Sequence, residues 1–490
     1  VSAPTNPTRA VYGREVLGRL FDELKSELMA ELLEATRAHI VVLHDCRMVP
    51  AGQAARVLSE IEGLASVAAP PYDPGVEDLY GWIERYLAQR LGEEVAGNVQ
   101  LARSRNDLDA AVYRMVIRRR LLDLAAAQLD AAEALLLRAR ESRALLIVAR
   151  THGAPAQPTT LGHVLAAYLD VVGRDLGRTR AAFATVNRSP LGACALAGTA
   201  FPLDREALAA WAGFDGLVEN TYDAVTGADY VLEPLAAVAV GLAQASRFLE
   251  TLRLWAAAPT PPLRLDSGLI QVSSMMPQKR NAVFVEHLRA RAARTAGALA
   301  GALAAVAAAP FEDSDLASTD LQAGAWAALE EAAGTYRVLD LVLRTAAVGT
   351  GTTPDEIVAS GATASELMDT LVRRFGLAQR IAHRVVSTMA DQQPDPRAWT
   401  GALLADVARR VAGRDVAMRT EEVGAALDPA GFVDGRATRG GPSAAALARG
   451  LREARRALRD HRAWLVGARE GLAGAHARLA ARCAALTGRA

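Results

Sequence analysis

The sequence predicts an all-α protein built around a bundle of long helices. Three observations lead there. Alanine and leucine dominate and aromatic residues are only 5%, and both dominant residues are strong helix formers. Helical patterns run through five long stretches without the usual turn punctuation. Glycine and proline gather between those stretches, and strands are scarcely signalled.

The elements follow in order. Over 17–36, Leu17, Leu20, Phe21, Leu24, Leu28, Leu32 and Leu33 stand at helical spacing with a polar opposite face. Shorter patterns continue to about 95, broken by Pro70, Pro71 and Pro74. A pattern free of Gly and Pro covers 107–141, and others cover about 160–186, 228–258 (ending at Pro259), 282–309 and 320–347. These lengths exceed the ordinary globular helix and predict a long-helix bundle. Gly349, Gly351 and Pro354 mark a change to shorter helices that run to the C-terminus.

Composition bounds the function. The 490 residues are enough for two to four structural units and a large buried core. Hydrophobic residues are 51%, charged residues 22%, and the formal net charge is zero. No global field therefore favours nucleic acid or an anionic membrane as a partner. Cys46, Cys194 and Cys483 are scattered without redox or metal-ligand spacing, which fits a reducing cytoplasm. The N-terminal stretch VSAPTNPTRAVYGRE is polar and carries no signal-peptide core. The apolar run at 296–309 is Ala/Gly-rich and falls below the ~20 residues of a membrane span, so it reads as a tightly packed helix. Basic residues are almost all arginine; the two lysines are Lys25 and Lys279.

Three polar segments between helices could carry chemistry. VSSMMPQKRN (272–281) leads into a helix start, where free N–H groups and the helix dipole favour an anion. Lys279 adds a full cation in a chain that otherwise uses Arg. A Ser beside Lys and helix-end amides can be held as alkoxide and take a carbon-bound proton. Taken alone, the segment fits an N-capped linker equally well. ARSRND (102–107) offers the planar Arg fork and the Ser and Asn hydrogen bonds that match a carboxylate, or simply a capped, salt-bridged helix start. THGAPAQPTT (151–160) contains His152, an imidazole that could shuttle a proton, or a turn histidine with no role in chemistry. His163 follows on the next helix, while His39, His44, His383, His461 and His476 show no evident partner. No His/Cys/Asp/Glu cluster has metal-ligand spacing, no Gly-rich phosphate loop follows a strand, and there is no G-x-S-x-G elbow.

Taken together, these segments resemble the fumarase/aspartase superfamily, and within it the argininosuccinate lyases. VSSMMPQKRN is similar to the signature GSSxMPxKxN, with Val272 in place of Gly. ARSRND resembles GRSRND, THGAPAQP resembles THLQxAQP, and PLGACALAGTAFPLDRE resembles PLGxGALAGTxFPxDRE. AVTGADYVLEPLAA and LDPAGFVDGRATRGGPS continue the similarity in order along nearly the whole chain.

The resemblance implies a three-domain, all-α fold, divided here as 1–106, 107–350 and 351–490. It also implies a homotetramer with a central helical bundle, each active site collecting segments from three subunits. No cofactor or metal is implied. Ser273 matches the catalytic base, which takes a proton from the carbon next to a carboxylate. Lys279, Asn281 and loop amides would stabilise the resulting dianion, each donor worth on the order of 3 kcal/mol if it behaves as an oxyanion-hole donor. Ser104, Asn106 and Thr151 match groups that hold the succinyl carboxylates, and Arg105 shares their motif. Gln157, Ser274, Met276 and Gln322 fall in the same motifs as substrate-binding positions. His152 matches the active-site His and Glu286 the carboxylate paired with it, an arrangement suited to a general acid.

The sequence departs from the argininosuccinate lyases in two places. Gln100, Leu101 and Ala102 replace the HTG that usually precedes RSRND. In PFEDSDLASTDLQAGAW, Asp320 and Gln322 fit the Y-N-x-D-x-Q-E-D-K pattern, but Ala317 and Ala325 stand at its Tyr and Lys positions. A site built for polar groups loses much when partners are missing. The fumarate half is therefore expected intact and the amine half rebuilt, as in the side branch that includes ethylenediamine-disuccinate lyase. Glu312, Asp313 and Asp315 are candidates to receive a cationic amine, or form a solvated acidic loop. Argininosuccinate itself, an inactive crystallin-like role, and the adenylosuccinate lyase or aspartase branches are the other readings.

Overall fold

The computed structural model describes residues 7–68, 70–76 and 78–488; the first six residues of the polar N-terminal stretch lie outside them. The long patterns fold as the helices α1 (Gly18–Asp45), α2 (Arg105–Glu141), α3 (Leu161–Val186), α4 (Asp229–Ala256), α5 (Val283–Ala308) and α6 (Thr319–Thr345), while α7 (Ala444–Thr487), 44 residues long, corrects the expectation that only shorter helices run to the C-terminus. The bundle is all-α, as the sequence predicts.

α2 is its axis. It buries 24 of its 37 residues and packs against α1, α3, α6 and α7. A helix buried along this much of its surface belongs in the middle of a bundle. Two arginines enter this core with it. Arg114 donates to the Thr185 carbonyl at 3.0 Å and lies over the Tyr230 ring at 4.4 Å. Arg118 donates to Asn187 Oδ1 and to the Gly213 and Ala212 carbonyls at 2.9, 3.0 and 2.9 Å, above the Phe214 ring. These contacts offset the cost of burying the charges.

A second, separate apolar core joins the shorter helices between Leu367 and Leu427. The last helix, α7, returns to the main core through Leu447, Leu451, Leu458, Leu465 and Leu479.

The helices leave little room for strands, but one hairpin is well formed. β1 (Leu146–Thr151) pairs antiparallel with β2 (Ala154–Thr160). His152 and Gly153 make its two-residue turn with φ of 52° and 80°, the double left-handed geometry that matches strand twist. The sequence reading, in which strands are scarcely signalled, did not anticipate it.

α4 carries Pro234 inside its length. Among the described residues it is the one helix long and apolar enough to cross a membrane by length and composition, and 44% of that stretch is buried in the bundle.

Candidate active site

The helix start at Ser104 is built by its own residues. Ser104 is the N-cap of α2: its Oγ accepts from the Asn106 amide, and its own amide donates to Asp107 Oδ1 at 3.0 Å. The Ser104 hydroxyl donates to Asn106 Oδ1 at 2.8 Å, which fixes the amide so that Nδ2 points away and donates to Asp313 Oδ2 at 2.8 Å. Arg105 reaches Asp78 Oδ2 at 2.5 Å.

Behind this turn stand groups that sequence reasoning left without a role. His39, 1% exposed, donates from Nε2 to the Leu101 carbonyl at 2.9 Å. Burial and the nearby Arg103 push its pKa down to about 3, so it is a neutral, structural imidazole. Asp107 is fully buried and also accepts from the Gly192 amide at 2.8 Å. It ties ARSRND to the PLGACALAG loop, whose backbone turns through left-handed conformations at Gly192, Cys194, Leu196 and Gly198.

The loop carrying Ser273 is closed by a short ladder pairing Gln271 with Asn281 and Val272 with Arg280. The ladder brings the two ends of segment 273–279 together, so Ser273 and Lys279 both adjoin the closing pair. Ser273 Oγ accepts from the amides of Met276 at 3.0 Å and Met275 at 3.3 Å. Two N–H groups aimed at one hydroxyl oxygen favour its deprotonated form. The rest of the loop faces outward: Ser274, Lys279 and Met276 are exposed, while Asn281 is half-buried. Glu286 lies exposed in the first turn of α5, next to His287, an imidazole that sequence reasoning passed over.

Thr151 and His152 occupy the exposed tip of the hairpin. Gln157, on β2, donates to Ser365 Oγ at 3.3 Å. His163 staples this hairpin to the C-terminal part of the chain. Its Nε2 donates to the Gly440 carbonyl at 2.9 Å, and Nδ1 contacts Thr159 Oγ1 at 2.8 Å.

Within one chain, these segments do not line one common cavity beside the α2 start. Among the described residues, no hydrogen bond or ion pair joins His152 to Glu286, or Ser273 to Ser104 or Thr151. The cause is geometric: each segment sits at the end of a different long helix.

One cavity, of about 340 Å³, does form beside the α2 start. Arg105, Asn106, Asp109, Asp313 and Asp315 line one side of it, and neither Ser273, Lys279 nor His152 takes part. Asp109 stands one helical turn beyond Asn106. Its pKa is pushed up to about 8, chiefly by burial, then by the Asp78, Asp313 and Asp315 carboxylates, against the opposing pull of Arg105. Gln322 is fully buried just behind this wall, donating from Nε2 to Tyr230 Oη at 3.2 Å and to the Ser318 carbonyl at 2.9 Å. Ala325, at the expected Lys position, faces the core at 2% exposure.

A sequence model of a lyase family matches residues 56–297. Argininosuccinate lyase 2 of Agrobacterium fabrum (strain C58) is 31% identical over 449 residues, covering 88% of this chain and 87% of the relative.

This chain is an argininosuccinate lyase-like member of the fumarase/aspartase superfamily. The argininosuccinate lyase of Methanocorpusculum labreanum is 34% identical over 352 residues, 71% of each protein. The crystal structure of EDDS lyase in complex with formate superposes with a TM-score of 0.87 at 30% identity, over 99% of this chain and 97% of that one. Class II fumarase from Schistosoma mansoni shares the fold, with a TM-score of 0.70 at 15% identity over 88% of this chain and 96% of that one. The protein is a carbon–nitrogen lyase that releases fumarate.

Proposed function

We propose that this lyase cleaves an N-substituted aspartate to fumarate and an amine, with Ser273 as the base. The observation that carries the reading is the Ser273 loop, where two backbone amides hold Oγ at 3.0 and 3.3 Å and Lys279 closes the same loop. In the forward direction the Ser273 alkoxide takes a proton from the carbon beside one succinyl carboxylate. The electron pair passes into that carboxylate, and the dianion then expels the amine from the neighbouring carbon on the opposite face. The carbon–nitrogen pair leaves on nitrogen and the alkene of fumarate remains. Lys279, Asn281, Ser274 and the Met276 amide are assigned to the dianion. Ser104, Asn106, Thr151 and Gln157 are assigned to the carboxylates, and the His152–Glu286 pair to proton delivery.

That assignment needs several copies of the chain, because the segments stay apart in one. We propose a homotetramer. α5 supports it: four of its 26 residues are buried despite an Ala- and Leu-rich sequence. Val240, Leu254, Leu303 and Leu341 on α4, α5 and α6 are 44–56% exposed. Apolar side chains left outward on three helices of the bundle fit burial against further copies of the chain.

Argininosuccinate itself is the second reading, favoured by the names of the relatives at 31% and 34% identity. Against it stand Ala317 and the buried Ala325, which leave the amine half without a Tyr and a Lys. A panel of argininosuccinate, ethylenediamine-disuccinate and other N-substituted aspartates, followed by fumarate absorbance, separates the two. The proposal expects slow or absent turnover of argininosuccinate beside a faster member of the panel. Efficient turnover of argininosuccinate alone contradicts it.

A further inference from the structure

The loop between α5 and α6, residues 309–318, reaches back across the fold to the start of α2. Asp313 Oδ2 accepts from Asn106 Nδ2 at 2.8 Å, across 207 residues of sequence. Asn106 cannot turn that nitrogen elsewhere without losing a second bond, because its Oδ1 accepts from the Ser104 hydroxyl at 2.8 Å. The amide donor assigned above to a succinyl carboxylate is therefore engaged by a carboxylate of the protein itself.

Asp313 reproduces the chemistry of the group it meets there. It offers carboxylate oxygens and a negative charge, and it takes the charge-assisted hydrogen bond that an N–H gives an anion. Nδ2 carries two hydrogens, but a second carboxylate on the same nitrogen would stand in contact with the first. Like charges at that range disfavour each other. Substrate and Asp313 compete for Asn106.

Two contacts hold the loop in this position. Tyr222 Oη donates to the Phe311 carbonyl at 3.0 Å, two residues before Asp313, and the Tyr222 and Phe311 rings lie 5.8 Å apart. At the other end, Asp315 accepts from Thr319 Oγ1 at 3.0 Å, and the Ser318 hydroxyl donates to the Ser314 carbonyl at 2.9 Å. The first contact is an open clasp: Phe311 is 68% exposed and Tyr222 41%. Releasing it costs little apolar burial.

Other terms work against the closed position. Partial desolvation, and then the charge of Asp315, raise the pKa of Asp313, so both oppose its bonded, ionised form. Asp313 is also exposed, so water receives its carboxylate without any unpacking of the core. The loop therefore has two arrangements within reach, with Asp313 on Asn106 or with Asp313 released to water.

We propose that Asp313 is an internal latch on the candidate active site. In the free enzyme its carboxylate holds Asn106 in place of a substrate carboxylate, and substrate enters by displacing it as the 309–318 loop moves off the start of α2. The proposal rests on the assignment of Asn106 to the succinyl carboxylates and adds control of entry to that site. The exchange swaps one carboxylate for another on the same donor, so the charge at Asn106 is the same before and after. What the latch lowers is apparent affinity, in proportion to the fraction of molecules that are open. A latch closed in about nine molecules of ten weakens binding about tenfold.

Fumarate, the product, is the probe. Its affinity for the whole enzyme is measured by isothermal titration calorimetry. Asp313→Ala removes the latch and should bind fumarate about five- to tenfold more tightly than wild type. Asp315→Asn removes a negative charge from the same loop, but its carboxylate accepts from Thr319 rather than Asn106, and affinity should change by less than about twofold. Tyr222→Phe deletes the clasp bond and should tighten binding about twofold, an effect that vanishes once Asp313 is alanine. Asn106→Ala should weaken binding about tenfold.

Unchanged or weaker binding in Asp313→Ala, beside a weakened Asn106→Ala, overturns the latch and leaves the lyase reading standing. Equal gains in Asp313→Ala and Asp315→Asn also overturn it, because the effect is then the field of the loop and not the contact. Unchanged binding in Asn106→Ala overturns the assignment of Asn106 and the latch with it. Should Asp313→Ala fail to fold, Tyr222→Phe decides: a gain supports the latch, and no gain overturns it.

Discussion

Replacing Asp107 by alanine should loosen two segments at once. The carboxylate is fully buried and accepts from the Ser104 amide at 3.0 Å and the Gly192 amide at 2.8 Å. Alanine leaves both donors without an acceptor, at about 1–3 kcal/mol each, or roughly 2–6 kcal/mol together. Relief of the buried charge, whose pKa is raised chiefly by burial, pulls the total toward the lower end. Amide hydrogen exchange reads this locally, because opening free energies differ along a structure. Exchange in segments 99–108 and 189–198 should quicken by about thirtyfold or more, since ~1.4 kcal/mol is tenfold, while the core between 367 and 427 stays at its wild-type rate. Because Ser104 and Asn106 sit on the same turn, KM for substrate should rise together with the exchange rate. Exchange within twofold of wild type in both segments refutes the reasoning.

Three further outcomes follow from the same geometry. His163→Ala removes the link from β2 to the Gly440 carbonyl, so the hairpin tip bearing Thr151 and His152 should gain mobility and kcat should fall about tenfold; exchange and steady-state rates check this. Leu303→Glu places a charge on the exposed apolar face of α5, and light scattering after gel filtration should show a smaller assembly with lower activity. Asp109 is held protonated by the fold, its pKa raised from 3.8 to about 8. A raised carboxyl pKa contributes stability that is full below about pH 4 and is lost as pH rises through about 8. The melting temperature of wild type relative to Asp109→Asn should therefore fall across that window, and a difference independent of pH contradicts it.

Much of this molecule was legible because its signals are local. The period of apolar residues and the spacing of Gly and Pro place α2 to α6 within a few residues of their observed ends, whereas α1 runs nine residues beyond the expected end at 36. The capping box at Ser104 and Asp107 is written in four consecutive residues. What the sequence did not yield is long-range. Asn106 and Asp313 are 207 residues apart and meet only because α2 and α6 pack together. His163 and Gly440 are separated by 277 residues, so an unremarkable helix histidine turned out to be a staple. Asp109 reads as an ordinary polar residue on a long helix, and its raised pKa arises chiefly from burial and then from carboxylates distant in sequence, Asp78, Asp313 and Asp315. The hairpin was under-read because Pro155 and Pro158 argue against a strand; both prolines are accommodated in β2, a strand of a two-stranded sheet with a register shift between Val148 and Arg150.

The central claim is that Ser273 is the base of a fumarate-releasing elimination. The most direct measurement is the single-turnover rate of fumarate formation from an N-substituted aspartate that the wild type cleaves, compared with Ser273→Ala. Substrate affinity is measured in parallel. The account predicts a loss of about 10²- to 10⁴-fold in rate with affinity nearly unchanged, the signature of a missing proton acceptor. Equal rates in the two proteins contradict it.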